Sequence, residues 1–269
     1  MKLIVLVDNH SLIDKYYLAE PALSFYIEDG DKKILFDTGY SDVVIKNASK
    51  MGIDLSKINT IVLSHGHNDH TGGLVYLKKL KQDIDLYCCE KIDETKVHDK
   101  HDITCPVKIK DLPNNFRVHM SQSAQEISKH LMLLGEIKRE IQPLRKLGDD
   151  PLYDDSALVY KDNNTISIIT GCSHSGICNI INQAKVITNT DKINIIIGGL
   201  HLLNNMNITN EVCEYIKTQD INYIYPCHCT DLESKIALSK VANIKEVGVS
   251  MVVEIWGINK IWKENYLLH

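Results

Sequence analysis

The sequence predicts a fold that mixes strands and helices, and three observations carry this. Short β-branched apolar runs of strand length recur from "KLIVLV" (2–7) to "INYIYP" (221–226). Segments with helical spacing separate several of them. Four of the strands run straight into histidine, cysteine or aspartate, at 65–70, 172–174, 201 and 228. Strand ends in α/β architectures converge on one edge of a sheet, so these four places are expected to share a site.

In chain order, "KLIVLV" reads as a buried strand. "ALSFYIED" and "KKILFDTG" read as a hairpin turning at Asp29-Gly30. "SDVVIKNASKMG" fits a helix capped by Ser41 and ended by Gly52, with Val44, Ile45, Ala48 and Met51 on one face. "TIVLS" (60–64) is a short strand that delivers the chain into His65. "GGLVYLKKLKQ" has helical spacing in Leu74, Leu77 and Leu80. "IDLYCC" (84–89) is a strand. A less regular insertion follows at about 90–150, with strand-like pieces at 116–120 and 130–137. It is expected to lie over one face or to form a lid. "SALVYKDNNTISIITG" reads as two strands around an Asp-Asn-Asn turn. "GICNIINQAKVI" and "TNEVCEYIKTQ" read as helices on either side of the strand "KINIIIGG". The last strand is expected to end at Pro226. Thr230 and Glu233 form a capping-box pattern opening the helix "DLESKIALSKVA".

Composition narrows the function classes. The 269 residues are 44% hydrophobic and 24% charged, ordinary values for a chain that buries a sizeable core. The net charge of -5, with no long Lys/Arg run, gives no reason to expect nucleic acid or a membrane surface as partner. "MKLIVLVDNH" is too short in its apolar part for a signal peptide, so a cytoplasmic location is expected. The eight cysteines are then expected as reduced thiols. No repeat or domain boundary is visible, and a single domain spanning 1–269 is expected.

The chemistry concentrates in "LSHGHNDHTGGL" (63–74). His65 and His67, two apart on a loop leaving a strand, can reach one cation. Asp69 and His70 follow just before Gly72-Gly73. Four such donors can hold two cations about 3.5–4 Å apart. Imidazole and carboxylate suit zinc, with iron or manganese as alternatives. The competing reading is a solvated polar loop, which four donors after a buried strand disfavour. In "TGCSHSG" (170–176), His174 is a candidate ligand and Cys172 a candidate ligand or neighbour. In "GGLHL" (198–202), His201 is a candidate for binding substrate or metal, or a core histidine. In "YPCHCT" (225–230), His228 is a candidate ligand. Cys227 and Cys229 are read as packing thiols, because neighbours on extended backbone point away from one another. Asp37 in "LFDTG" is a candidate for orienting a ligating histidine. Asp154 and Asp155 are candidates for an additional ligand, a substrate contact or a plain turn.

"LFDTG", "LSHGHNDHTGGL", "SALVY…ISIITGCSHSG" and "YIYPCHCT" come in the order seen in the metallo-β-lactamase superfamily, which this chain resembles over most of its length. The resemblance implies an α+β fold, a four-layer αββα sandwich with two mixed sheets flanked by helices and a site at one edge. "TGCSHSGI", "GGLHL" and "PCHCT" together are similar to a narrower group. Its members are labelled 7,8-dihydropterin-6-methyl-4-(β-D-ribofuranosyl)aminobenzene-5′-phosphate synthase or metal-dependent hydrolase. Two places depart from the wider pattern. Tyr153-Asp154-Asp155 stands where many members carry a histidine. Cys172 follows Gly171 where many carry a bridging aspartate.

Three functions follow from the resemblance. The first is a metal-dependent hydrolase, with His65, His67 and His174 on one zinc ion and Asp69, His70 and His228 on a second. Asp69 would orient the nucleophile, and His201 would donate to substrate or leaving group. The substrate would be a small phosphoester, ester or lactone. The second is the pterin-condensing synthase, a transferase reaction that also needs a metal. The third is a metal-bearing protein that binds a ligand without turnover.

Overall fold

A computed structural model describes residues 1–141, 152–255 and 264–266. The strands in chain order are β1 (Lys2–Val7), β2 (Ser24–Asp29), β3 (Lys32–Phe36), β4 (Thr60–Val62) and β5 (Ile84–Cys88). Then come β6 (Val97–His98), β7 (His101–Asp102), β8 (Phe116–Met120), β9 (Gln125–Glu126) and β10 (Leu131–Leu133). The last six are β11 (Ala157–Asp162), β12 (Thr165–Thr170), β13 (Ile193–Gly199), β14 (Ile221–Cys227), β15 (Met251–Glu254) and β16 (Glu264–Tyr266). The helices are α1 (Val43–Lys50), α2 (Asn68–Thr71), α3 (Leu74–Leu77), α4 (Ile177–Thr188), α5 (Met206–Lys217) and α6 (Leu232–Ser239).

The chain divides into two units, Met1–Ser121 with Val247–His269, and Gln122–Glu246. The first holds a mixed eight-stranded sheet in the order β16-β15-β1-β2-β3-β4-β5-β8. β1 to β3 pair antiparallel, and β3, β4, β5 and β8 run parallel. Parallel neighbours cannot be joined by a tight turn, so the crossovers carry α1 to α3 and the 89–115 excursion. The apolar side of α1, Val44 and Ala48, packs with Ile4, Leu6, Leu35, Ile61 and Leu63 of the sheet. Ile45 does not belong to that side: it is 37% exposed. Asn47 takes the inward place and donates from Nδ2 to the carbonyls of Leu6 and Leu18. A 100° step per residue puts 44, 47, 48 and 51 in one stripe and 45 outside it.

The second unit holds a six-stranded sheet in the order β14-β13-β12-β11-β10-β9. β11 and β12 form the expected hairpin, turning at Asn163 in the left-handed region. β12, β13 and β14 run parallel. Ile177, Ile180, Ile181 and Ala184 of α4 and Val212 and Ile216 of α5 pack with Ile166, Ile168, Ile193, Ile196 and Ile224. Every residue of β12 and β13 is buried, which explains their unbroken apolar sequence.

Three local expectations change. β14 continues through Pro226 to Cys227. It lies at the sheet edge, where a missing N–H costs little. The cap of α6 is Asp231, whose carboxylate accepts from the Ser234 N–H at 2.8 Å. Thr230 instead accepts from the Leu200 N–H at 3.0 Å, tying the loop after β14 to the loop after β13. The irregular stretch from 90 splits at Ser121: its first part belongs with the first unit, and 122–141 with the second. Its remainder, 142–150, lies outside the described residues.

Candidate metal centre

In the first unit, β3 and β4 run parallel and end side by side, and the residues just past them build the donor cluster. β3 stops at Phe36, and Asp37 turns into the left-handed region at φ 55. Fully buried, it gathers the start of the next loop. Its Oδ1 accepts from the Ser64 N–H at 2.7 Å. Its Oδ2 accepts from the Ser64 hydroxyl at 2.7 Å and lies 2.7 Å from His70 Nδ1. Ser64 Oγ is also 2.9 Å from His65 Nδ1. One buried carboxylate and one serine thus hold two imidazoles by Nδ1. That fixes the rings and turns Nε2 of both toward the side where a metal could be held.

The donors converge. The His65 ring centroid lies 4.6 Å from that of His67 and 4.2 Å from that of His70. Asp69 Oδ2 lies 3.7 Å from His70 Nε2. His65 and His70 are buried, whereas His67 and Asp69 are partly open. Three imidazoles and a carboxylate in this space fit a transition-metal ion of zinc type.

The backbone explains why this spacing works. α2 is a single turn, braced by the Thr71 hydroxyl on the His67 carbonyl at 2.8 Å. The His70 carbonyl accepts from both the N–H and the hydroxyl of Thr38. A Cβ at Gly73 would lie 2.1 Å from the Thr38 carbonyl oxygen, so only glycine passes there. The excursion after β5 is woven into the same loop. The Asn68 N–H donates to the Ile103 carbonyl at 2.8 Å, and His67 bridges Thr104.

In the second unit, the loops after β12, β13 and β14 carry the remaining candidates. Each has a non-glycine residue in the left-handed region: Ser173 at φ 59, His201 at 49 and His228 at 48. Such strain concentrates where a side chain must be aimed. His174 is buried, and its ring centroid lies 4.2 Å from that of His201. His228 is buried beside Gly199. Asp155 is buried, and its Oδ2 accepts from the Ser175 N–H at 2.7 Å, so it holds the backbone next to His174. Burial pushes its carboxyl up to about 6. Its Oδ1 has no hydrogen-bond partner among the described residues.

Cys172, His201 and Cys229 offer donor atoms within 4.8 Å of one another. Cys229 was expected to point away from the site on extended backbone. His228 is not extended, so the alternation breaks, and the Cys229 thiol reaches the Cys172 carbonyl at 3.6 Å. Ser64 is the other residue the sequence did not single out. Its place directly before His65 and opposite Asp37 was the available signal.

Comparison with known proteins gives the family and the fold. A family model described as the metallo-beta-lactamase superfamily matches residues 18–187. An uncharacterised protein of Methanocaldococcus jannaschii is 29% identical over 93% of this chain and 99% of its own length. A second protein of that organism is named 7,8-dihydropterin-6-methyl-4-(beta-D-ribofuranosyl)-aminobenzene-5'-phosphate synthase. It is 26% identical, over 87% of this chain and 89% of its own. Among solved structures, Tm1679, described as a metal-dependent hydrolase of the beta-lactamase superfamily, matches with a TM-score of 0.79. It is 25% identical, and the match covers 95% of this chain and 99% of the other.

Proposed function

Because this chain belongs to the metallo-β-lactamase superfamily, whose members bind metal ions, we propose that it is a metal-dependent hydrolase of a small phosphoester, ester or lactone. The observation that carries this is the cluster of His65, His67, Asp69 and His70, with two of its imidazoles held by Asp37 and Ser64. His65 and His67 would hold one ion, and Asp69 and His70 a second, with zinc the first choice by donor chemistry. Such ions would supply Lewis acidity, making a water acidic enough to act near neutral pH and polarising the substrate oxygen. Asp69, partly open at the cluster's edge, accepts a proton from the attacking water and sets its direction. Asp37 and Ser64 keep the rings from turning during turnover. Among the described residues no helix is long and apolar enough to cross a membrane. The partner on this reading is a small molecule, a phosphorylated one being the first choice, rather than a nucleic acid.

The test is elemental analysis of anaerobically purified protein together with a panel of phosphomonoesters, phosphodiesters, lactones and thioesters. Bound transition metal and turnover of one class are expected. Asp69→Ala should lower that turnover by roughly 10²–10⁴-fold. Protein without metal, or an Asp69→Ala variant of full activity, would overturn the reading.

The relative named as a pterin synthase favours a second reading, condensation of a pterin with a ribofuranosyl-aminobenzene phosphate. It predicts pterin binding measurable by calorimetry, and absence of heat on titration would dismiss it.

A further inference from the structure

We propose that Cys172, His201 and Cys229 form a thiolate-containing site for one zinc-type divalent cation. Their donor atoms lie within 4.8 Å of one another, all on loops of the second unit. A tetrahedral ion with sulfur at about 2.3 Å and nitrogen at about 2.0 Å separates its donors by roughly 3.5–3.8 Å. The three donors therefore need to close by about 1.3 Å at most. Two thiolates and an imidazole leave a fourth position open, the donor count of a catalytic zinc.

Two further features point the same way. A Cβ at Gly199 would lie 2.5 Å from Cys229 Sγ, so the strand gives up its side chain where the thiol sits. His201 and His228 are both left-handed, and the turn at His228 breaks the alternation that would send Cys229 to the opposite side. A metal suits the geometry better than a disulfide. The two thiols are not joined in a disulfide, and each sits on a loop past its strand, Cys172 after β12 and Cys229 after β14. No redox change is involved. Two S–H bonds break, two metal–sulfur bonds form, and two protons pass to the buffer. In this role His201 is a ligand rather than a proton donor.

The test is cobalt loading of the metal-free full chain, followed in the near-ultraviolet, where thiolate-to-cobalt charge transfer absorbs. The wild type should show that band. Cys172→Ser and Cys229→Ser should each reduce it to about half, since one thiolate of two remains, and the double variant should lose it. Cadmium-113 NMR of the wild type, whose shift moves far downfield for sulfur ligands, gives an answer even if a cysteine variant fails to fold. A wild type with no band and a cadmium shift in the nitrogen–oxygen range overturns the proposal. So does a band unchanged in both cysteine variants, or fewer than eight thiols titrating in denaturant. A wild type with the band but no hydrolysis leaves this site standing and sinks the hydrolase reading instead.

Discussion

Asp37 shows how much of the candidate centre rests on one side chain. It bonds the backbone and hydroxyl of Ser64 and the Nδ1 of His70, so it sets the entry of the loop and the tilt of a ring at once. Asp37→Asn keeps an acceptor for the Ser64 N–H but sets an NH₂ donor against His70 Nδ1–H. Partners of this kind are worth about 10–100-fold in metal affinity. A loss of that size is expected in chelator competition, and an unchanged affinity would show that His70 is held by something else. Asp155 supports the second unit's loop differently, since burial raises its carboxyl from 3.8 to about 6. In the unfolded chain the group is ionised above 3.8, while the folded chain keeps its proton up to about 6. The folded state binds more protons in that window, so stability from this group falls as pH rises through it and is flat above. The cost at neutral pH is roughly 3 kcal/mol. Asp155→Asn keeps the acceptor for Ser175 and stays neutral. Its advantage over wild type in urea unfolding of the metal-free chain should be near zero at pH 4, grow through pH 6 and then level off. A difference that is constant with pH would show that the burial cost is offset elsewhere.

At the scale of elements, the sequence was clearest where one physical signal acted alone. β12 and β13 were legible because strands buried on both faces carry unbroken apolar runs. The hairpin of β2 and β3 was legible because Gly30 takes a positive φ at its turn. The signal failed where two roles competed for one residue. Thr230 and Asp231 are both good caps, and only the approach of Leu200 decides that Thr230 is used elsewhere. Cys229 is buried, as a packing thiol should be, but strand alternation does not set its direction, because it lies two residues past β14 and His228 before it turns left-handed. The glycine pair after His70 was legible as a signal of close approach, though not of what approaches. Gly73 passes the Thr38 carbonyl at a distance no Cβ tolerates. Gly73→Ala should therefore destabilise the chain by about 1–3 kcal/mol, as overpacked sites do. It should also weaken metal binding, because Thr38 holds the His70 carbonyl. Denaturant unfolding with and without metal separates the two effects. A variant as stable as wild type would mean that the loop re-routes freely.

For the whole molecule, the pairings that build the larger sheet were the least legible. β1 pairs with β15 in the register Lys2 with Glu254. A four-residue "MVVE" carries no signal of its own, and its pairing depends on residues some 250 positions away in the chain. What the sequence did carry was the order of ligand motifs, and these sit at strand ends in both units. The consequence is thermodynamic. His65 and His70 are fully buried and draw close in the folded chain, a proximity that an unfolded chain does not maintain. A metal that binds the folded form alone stabilises it by RT ln(1 + [L]/Kd), about 2.7 kcal/mol at a hundredfold excess over Kd. For a chain of this size each kcal/mol moves Tm by roughly 2–4 °C, so chelation should lower Tm by about 5–10 °C and zinc should restore it. The restoration should fade at acid pH, where protons compete for the imidazoles. It should be reduced in His65→Ala beyond any change in the metal-free Tm. Scanning calorimetry of chelated and zinc-loaded protein at pH 5 and pH 7.5 measures all three. A Tm indifferent to chelator at both pH values would mean that the histidine cluster is not a metal centre.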